Sequence, residues 1–451
     1  MKLFGTDGIR GLVNCHPIHP NSILQIAMAA GTELIEATPS THRPTVVIGK
    51  DTRLSGYMIE SALECGFVSM GVDVILLGPI PTPAVAYLTR SLRADLGVMI
   101  SASHNPYHDN GIKFFDRQGK KWDRTIEQRV EKRVDAAHLT LAKPSQVGRG
   151  RRLDDGSGRY LEFVKTQFPK GMRLDGLKIV LDCAHGAAYR IAPQLFWELG
   201  AEVISIGIHP SGTNINAQCG ATFIQKLREK VRVEQAHLGI ALDGDADRII
   251  MVDELGSVLD GDHLLAAITQ QWHQDGQLRG QGIVATVLSN WGLEQFLNAL
   301  QLQLFRSAVG DKAVFEQMQQ LGCNVGGEQS GHIIFADLST TGDGILAALQ
   351  ILSILIRNQR PASDLSKIFT RVPQVLRNFN QKGIDLSTDR FQQFYAEQTR
   401  RVGQWGRLLV RPSGTEPMVR IMVESENTAL IQQVLDNFAN FWNQSESVSS
   451  H

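Results

Sequence analysis

Three carboxylates separated by single residues, in Asp243-Gly244-Asp245-Ala246-Asp247-Arg248, concentrate hard oxygen donors at the end of the apolar run Leu238 to Leu242. At i, i+2 and i+4 they point to one side of an extended chain, where they repel one another unless a cation such as Mg2+ neutralises them. An EF-hand Ca2+ loop would place Glu254 at its twelfth position, but its sixth position is Arg248, where the turn needs glycine. Ile249-Ile250-Met251-Val252 reads instead as a strand, and the EF-hand reading fails. The plain alternative is a solvated acidic turn.

Three further segments put polar residues and glycines where a strand should end. Ser101-Ala102-Ser103-His104-Asn105-Pro106 follows the apolar run Leu96 to Ile100 and delivers a serine to the carboxyl end of a buried strand, where open α/β sheets bind ligands. An ordinary Ser/Asn/Pro turn would look similar. Gly326-Gly327-Glu328-Gln329-Ser330-Gly331-His332 offers carboxylate, amide, hydroxyl and imidazole groups within five positions, a set suited to a sugar, although a polar glycine turn between strands is the bland reading. Arg411-Pro412-Ser413-Gly414-Thr415-Glu416-Pro417, with Arg420 after it, supplies the guanidinium, hydroxyl and backbone N–H donors that a phosphate dianion requires.

The elements that must position these segments show a repeated module: a short β-branched run, a helix-period segment and a second apolar run. It appears as Val46–Gly49, Gly56–Met70 and Val72–Leu77, again as Ile179–Asp182, Ile191–Leu199 and Val203–Ile206, and again as Ile283–Val287, Leu293–Leu300 and Leu304–Phe305. Strand and helix alternating at this spacing predict βαβ units with mixed, largely parallel sheets. Three related α/β domains are expected over 1–150 with the serine loop, 155–255 with the metal loop and 256–368 with the sugar turn. A smaller α+β domain carrying the phosphate loop follows over 370–445, and the four surround a central cleft. The stretch from Gln146 to Arg152 reads as a solvated Gly/Arg linker, and the serine-rich end from Asn443 as frayed.

With 451 residues, 43% hydrophobic and 20% charged, the chain can organise several cores and lies far from the composition of disorder. Forty-five basic against 46 acidic residues create no global field toward nucleic acid or an anionic membrane, so a bound anion must be held locally. Five cysteines without a CxxC pair or zinc spacing fit a reduced, cytoplasmic protein. Asp7 interrupts the amino-terminal stretch before any signal sequence develops, and Ile345 to Ile356 is too short to span a bilayer.

The motifs GTDGIRG (Gly5 to Gly11), SASHNP (Ser101 to Pro106), DNGIKFF (Asp109 to Phe115), DGDADR (Asp243 to Arg248), GGEQSGH (Gly326 to His332) and RPSGTEP (Arg411 to Pro417), in this order, resemble the α-D-phosphohexomutase superfamily. Within it the chain is most similar to the bacterial phosphoglucosamine mutases, supported by Thr213-Asn214-Ile215-Asn216, Cys219-Gly220-Ala221-Thr222, Gly310-Asp311 and Thr340-Thr341-Gly342-Asp343-Gly344. The resemblance implies that Ser103 carries the transferable phosphoryl group and that Asp243, Asp245 and Asp247 hold Mg2+, with a phosphoserine oxygen as a further ligand. Arg10, Lys113 and Arg248 match positive groups near the transferring phosphoryl. His104 is placed beside them. Glu328, Ser330 and His332 match the sugar turn, and Arg411, Ser413, Gly414, Thr415 and Arg420 the site of the non-reacting phosphate.

The implied activity is interconversion of glucosamine 6-phosphate and glucosamine 1-phosphate through a glucosamine 1,6-bisphosphate intermediate, on the route to UDP-N-acetylglucosamine. The partner is then a small hexosamine phosphate rather than nucleic acid or membrane, and the protein a monomer or homodimer. Alternatives are a phosphomannomutase or phosphoglucomutase of the same superfamily, a Mg2+-dependent hydrolase using Asp243 as nucleophile, and a silent sugar-phosphate-binding regulator. The last predicts loss of the serine or a carboxylate, and neither is lost. The chain departs from the family pattern in three places: Ala246 replaces a common glycine, His185 a usual asparagine, and Lys312-Ala313 the usual Arg-Tyr.

Overall fold

The computed structural model describes residues 2–38, 42–136, 139–380, 385–412 and 418–448, with side chains described as far as residue 444. Two compact units divide them: Met1–Leu288 with Leu302–Ile368, and Ser289–Gln301 with Phe369–His451.

Three mixed sheets occupy the first unit. The first runs Ile9–Leu12, Asp109–Asp116, Leu96–Ile100, Thr45–Lys50, Asp73–Pro79, Gly150–Arg152. In the second the order is Val258–Leu259, Ile249–Asp253, Leu238–Leu242, Lys178–Asp182, Glu202–Ile206, and in the third Gln303–Ser307, Gly282–Thr286, Val325–Gly327, Ile333–Phe335. The parallel strands are near-continuous apolar runs because both faces are covered: every residue of Leu96–Ile100 and of Leu238–Leu242 is buried. The most apolar stretch of the sequence becomes the helix Gly344–Asn358, buried from Gly344 to Leu355 rather than membrane-inserted.

One topological feature repeats in all three sheets. A parallel strand turns back into an antiparallel neighbour, pairing Leu96–Ile100 with Asp109–Asp116, Leu238–Leu242 with Ile249–Asp253, and Val325–Gly327 with Ile333–Phe335. The connections are the serine, metal and sugar segments. They are therefore the same hairpin link in three related domains.

The second unit holds an antiparallel sheet ordered Gln374–Asn380, Met418–Ser425, Gly406–Pro412, covered by the helices Asp389–Val402 and Thr428–Val448. The helix Trp291–Ala299, which the sequence reads as part of the third α/β module, belongs to this unit: Trp291 N–H donates to Glu424 Oε1 at 3.0 Å.

Two local expectations change. The Gly/Arg stretch is not wholly a solvated linker, because Gly150–Arg152 pairs in parallel with Val74–Leu76 as an exposed edge strand of the first sheet. Its arginines leave the edge charged, which discourages further strand addition. The last helix continues to Val448, past the predicted fraying point, with Trp442 buried and its indole N–H donating to Asn380 O at 2.7 Å.

Candidate active site

Ser103 is 1% exposed, not the surface turn residue its neighbours suggest. It lies in the left-handed region with φ +52, a conformation that costs a non-glycine residue about 1–2 kcal/mol and must be held by its surroundings. Its N–H donates to Ser101 Oγ at 2.9 Å, and that hydroxyl donates to Asp51 Oδ2 at 2.7 Å. Ser103 Oγ in turn donates to Asp243 Oδ2 at 2.6 Å and lies 3.3 Å from His104 Nδ1. The serine loop of the first domain and the acidic loop of the second thus meet at a hydrogen bond.

The three carboxylates do converge, but through a turn rather than an extended chain. Ala246 takes φ +57 and reverses the backbone, bringing one oxygen from each of Asp243, Asp245 and Asp247 within 4.8 Å of one another. All three are buried, which overturns the solvated-turn alternative. Asp245 Oδ2 accepts from Thr82 Oγ1 at 2.6 Å and from Lys113 Nζ at 2.8 Å, while Asp247 Oδ2 accepts from Lys113 Nζ at 3.0 Å. The other oxygens, Asp245 Oδ1 and Asp247 Oδ1, are buried without a hydrogen-bond partner. Burial, with Asp247 and Asp245 alongside, pushes the Asp243 carboxyl up to about 8. Asp247 is held well below the usual carboxylate range; burial opposes this, but Lys113 and His332 outweigh it. A set of three oxygen donors with orphaned buried lone pairs and excess negative charge fits a hard divalent cation.

Ala246 has the only side chain that the sequence puts in place of the family's glycine in this loop, and its backbone now explains the glycine. Replacing it by glycine relieves the left-handed strain but adds unfolded-chain entropy and removes a buried methyl, terms of similar size. Ala246→Gly is therefore expected to change stability by less than about 1 kcal/mol, whereas Ala246→Val, β-branched at positive φ, should lose roughly 2–4 kcal/mol. Denaturant midpoints for the two variants check this; a large loss in Ala246→Gly would show that methyl packing dominates.

Positive charge surrounds the acids. Asp7, Lys121, Asp311, His332, Asp247 and Lys113 close a ring in which acids and bases alternate, drawn from all three α/β domains. Lys121 Nζ lies 2.5 Å from Asp311 Oδ2 and also contacts Asp7. Burial works against the Lys113 charge, but Asp245, Asp247 and Asp7 outweigh it and hold the ammonium well above its ordinary value. Buried ion pairs add little net stability over apolar packing, yet removing one partner costs about 3–5 kcal/mol, so such a ring fixes geometry.

His332 belongs to this ring. Its Nε2 lies 3.2 Å from Asp311 Oδ2 and its Nδ1 3.6 Å from Asp247 Oδ1, so it faces carboxylates where the sequence placed it among sugar contacts. Burial opposes its charge, but the two acids raise it to about 10; Gly342 N–H lies 3.0 Å from Nε2. Arg10 Nη2 donates to Asp7 Oδ2 at 2.6 Å and Nη1 to Ala102 O at 3.3 Å. Arg248 Nη1 lies 2.9 Å from His104 Nδ1, and its N–H donates to Asp243 Oδ1 at 3.2 Å. Burial, then Arg248 and Arg10, lower His104 to about 4, so at neutral pH it is an uncharged acceptor. Glu328 Oε1 accepts from Gly310 N–H at 3.0 Å, Ser330 Oγ lies 3.4 Å from Glu328 Oε2, and the Glu328 charge acts on Arg248.

In the second unit Arg411 and Arg420 are direct cross-strand partners. Burial and the Arg420 charge lower Arg411, whose Nε is buried without a hydrogen-bond partner. Like charges placed opposite one another destabilise a sheet unless an anion joins them. Ser413, Gly414 and Thr415 lie outside the described residues.

Sequence reasoning did not single out Asp51, Arg53, Thr82 or Lys121, and gave Asp7, Asn216 and Asp311 no role. Asp51 and Arg53 follow the strand Thr45–Lys50 at its carboxyl end, the same positional signal that singled out Ser103. Lys121 carries no such signal, since only the fold brings it to Asp311. His185, the second departure, takes φ +50, where asparagine is better tolerated, and its Nδ1 accepts from His209 N–H at 3.2 Å. The third, Lys312, lies 3.1 Å from Glu127 Oε1.

Comparison with known proteins places this geometry. Phosphoglucomutase/phosphomannomutase family models match in order: α/β/α domain I over residues 1–140, domain II over 158–256, domain III over 260–372 and the C-terminal domain over 362–441. The phosphoglucosamine mutase of Paramagnetospirillum magneticum is 53% identical over 443 residues, covering 96% of this chain and 97% of the relative. That of Mesorhizobium japonicum is 51% identical over 448 residues, covering 99% of each. A phosphoglucomutase/phosphomannomutase family protein from Burkholderia thailandensis shares the fold with a TM-score of 0.82 at 23% identity, over 99% of this chain and 98% of that one. Near-full-length identity above one half, joined to four domain matches in order, means that the chain belongs to the phosphoglucosamine mutases of the α-D-phosphohexomutase superfamily.

Proposed function

We propose that the protein interconverts glucosamine 6-phosphate and glucosamine 1-phosphate, with Ser103 as the phosphoryl carrier and glucosamine 1,6-bisphosphate as the intermediate. The observation that carries this reading is Ser103 Oγ at 2.6 Å from Asp243 Oδ2, inside a buried triad of carboxylates flanked by Lys113 and Arg248. Phosphoserine at 103 donates its phosphoryl group to the free hydroxyl of the monophosphate: the Ser103 Oγ–P bond breaks as the sugar O–P bond forms. The bisphosphate turns over and returns its other phosphoryl group to Ser103.

Loose phosphoryl-transfer transition states leave charge mainly on oxygen, so positioned positive groups do most of the catalysis. Arg10, Lys113 and Arg248 supply that charge from the protein. A Mg2+ ion held by Asp243, Asp245 and Asp247, with a phosphoserine oxygen, would add a further positive centre to neutralise the phosphoryl oxygens. His104, neutral, accepts from Arg248 Nη1 at 2.9 Å and lies 3.3 Å from Ser103 Oγ, so it holds the guanidinium beside the serine without adding charge. Glu328 and Ser330 would contact the sugar hydroxyls, and His332 orients Asp247 and Asp311.

The expected order of substrates is glucosamine phosphates over glucose and mannose phosphates, measured on one preparation in a coupled assay. Turnover of mannose or glucose phosphates at equal or higher kcat/KM would move the assignment to another member of the superfamily. A product consumed for UDP-N-acetylglucosamine fits a cytoplasmic enzyme, monomeric or homodimeric; among the described residues no helix is long and apolar enough to cross a membrane.

Arg411 and Arg420 would clamp the phosphate that is not reacting, which relieves the repulsion between facing guanidinium groups. Arg411→Ala is then expected to raise KM and lower kcat/KM by roughly 2–4 kcal/mol while Ser103 phosphorylation is retained. Added bisphosphate should partly restore turnover by rephosphorylating enzyme whose intermediate has escaped. Normal KM with unphosphorylated Ser103 would place these arginines at the first transfer instead.

A further inference from the structure

The main chain around Ser103 is gripped from two domains at the same two atoms. Arg53, 1% exposed, uses each of its guanidinium N–H groups: Nε donates to Asp51 Oδ2 at 2.8 Å, Nη1 to Asp109 O at 3.0 Å and to Pro106 O, and Nη2 to Ser103 O at 2.9 Å and Asn105 O at 2.8 Å. Asn216, from the second domain, donates through Nδ2 to the same carbonyls, Ser103 O at 2.9 Å and Asn105 O at 3.1 Å. Both partners are acceptors, which fixes which end of the amide points at them.

Asn216 is itself anchored under the metal loop. Its N–H donates to Ala184 O at 2.9 Å, and the segment running on from Ala184 reaches Gly244 through Ala187 N–H to Gly244 O at 2.8 Å. A Cβ on Gly244 would meet Ser103 O at 2.5 Å and Asn216 Nδ2 at 2.9 Å, so only glycine lets the metal loop approach the clamped carbonyl. Asn216 has φ +58, where asparagine is favoured among non-glycine residues.

We infer that Asn216, acting opposite Arg53, is a positioning residue that registers the serine loop against the acidic loop and so sets the distance from Ser103 Oγ to Asp243. The inference rests on Ser103 being the phosphoryl carrier. Two peptide carbonyls held from both sides cannot rotate, and a serine in a left-handed conformation needs that restraint. Asn216 touches none of the reacting groups, so its effect falls on orientation during transfer. A misplacement of about 1 Å at a reacting atom costs up to roughly a hundredfold in rate.

Removing Arg53 would strip a hydrogen bond from each of four carbonyls and take the guanidinium from the buried Asp51, a broader loss than the one in question, so the test uses Asn216. Asn216→Gly keeps the backbone conformation and removes the amide; Asn216→Asp keeps shape and backbone preference but presents acceptors to two carbonyls. Both are expected to lower kcat on glucosamine 6-phosphate by roughly 10- to 100-fold with KM within about threefold. Amide hydrogen exchange across residues 101–109 should quicken in both, with the thermal midpoint little changed. A role in packing alone would leave Asn216→Asp near wild type in kcat and exchange, and that result overturns the inference. A raised KM at unchanged kcat also overturns it, by making Asn216 a substrate contact. If the wild-type protein does not turn over glucosamine phosphates, the functional reading fails separately, and exchange at 101–109 still decides the clamp: faster in the variants supports it, unchanged overturns it.

Discussion

Ser103→Ala is expected to reduce mutase turnover to below roughly one-hundredth of the wild-type kcat and to remove the phosphoryl adduct from the intact mass. Among the described residues, the hydroxyls near the acidic loop are otherwise committed: Ser101 Oγ donates to Asp51 Oδ2 at 2.7 Å and receives Ser103 N–H, and Thr82 Oγ1 donates to Asp245 Oδ2 at 2.6 Å. The fold should survive. Alanine keeps the volume, and the loss is one hydrogen bond to Asp243, worth about 1–2 kcal/mol, in a site that already carries the left-handed strain. Retention of more than a few percent of turnover by a well-folded variant would make Ser103 a bystander and return Asp243 to consideration as nucleophile. Phosphate chemistry then separates the two, since a phosphoaspartate is acid-labile and a phosphoserine is not.

Asp245→Asn carries the second large effect, expected at roughly 10²–10⁴ in kcat, with Mg2+ affinity weakened at least about tenfold. The carboxylate has two separate duties. Oδ2 accepts from Thr82 and Lys113, and Oδ1 is buried without a partner. An amide can serve only one of them. If its oxygen stays with Lys113, its NH2 faces the cation; if the oxygen turns to the cation, the NH2 opposes an ammonium. Calcium should bind the wild-type site but support little turnover, because the larger ion relaxes the octahedral geometry. Equal activity with Ca2+ would count against Mg2+.

The same cluster sets a pH dependence. Asp243, pushed up to about 8 in the metal-free protein, binds its proton more tightly folded than unfolded. That contribution to stability is present below the ordinary carboxylate range and is lost as pH rises toward about 8. A cation must displace the proton, so the Mg2+-induced rise in Tm should be larger at pH 8 than at pH 6. A rise independent of pH would show that Asp243 is not among the ligands.

How much of this was legible beforehand differs between elements and contacts. The runs Leu96–Ile100 and Leu238–Leu242 announce buried strands because a strand covered on both faces must be apolar throughout, and the serine and acid loops announce themselves because polar groups cannot continue such a strand. Hairpin closure was not legible. The distinction between a parallel neighbour and an antiparallel return lies in pairing over distances that no local pattern encodes, and it is this return that makes the three loops equivalent.

The residue types of the site were therefore determined by the sequence alone: a serine, three aspartates and the glycine turn, which follow recognisable strands, together with the arginines. Their relations were decided by the tertiary structure. Burial of Ser103 and convergence of Asp243, Asp245 and Asp247 through the left-handed Ala246 depend on the folded backbone, and the turning of His332 toward Asp311 and the recruitment of Arg53, Asn216 and Lys121 join residues far apart in the chain. The physical reason is that a buried charge or carbonyl must find its partner wherever the packing of whole domains brings one within hydrogen-bond reach, and neither composition nor periodicity records that distance.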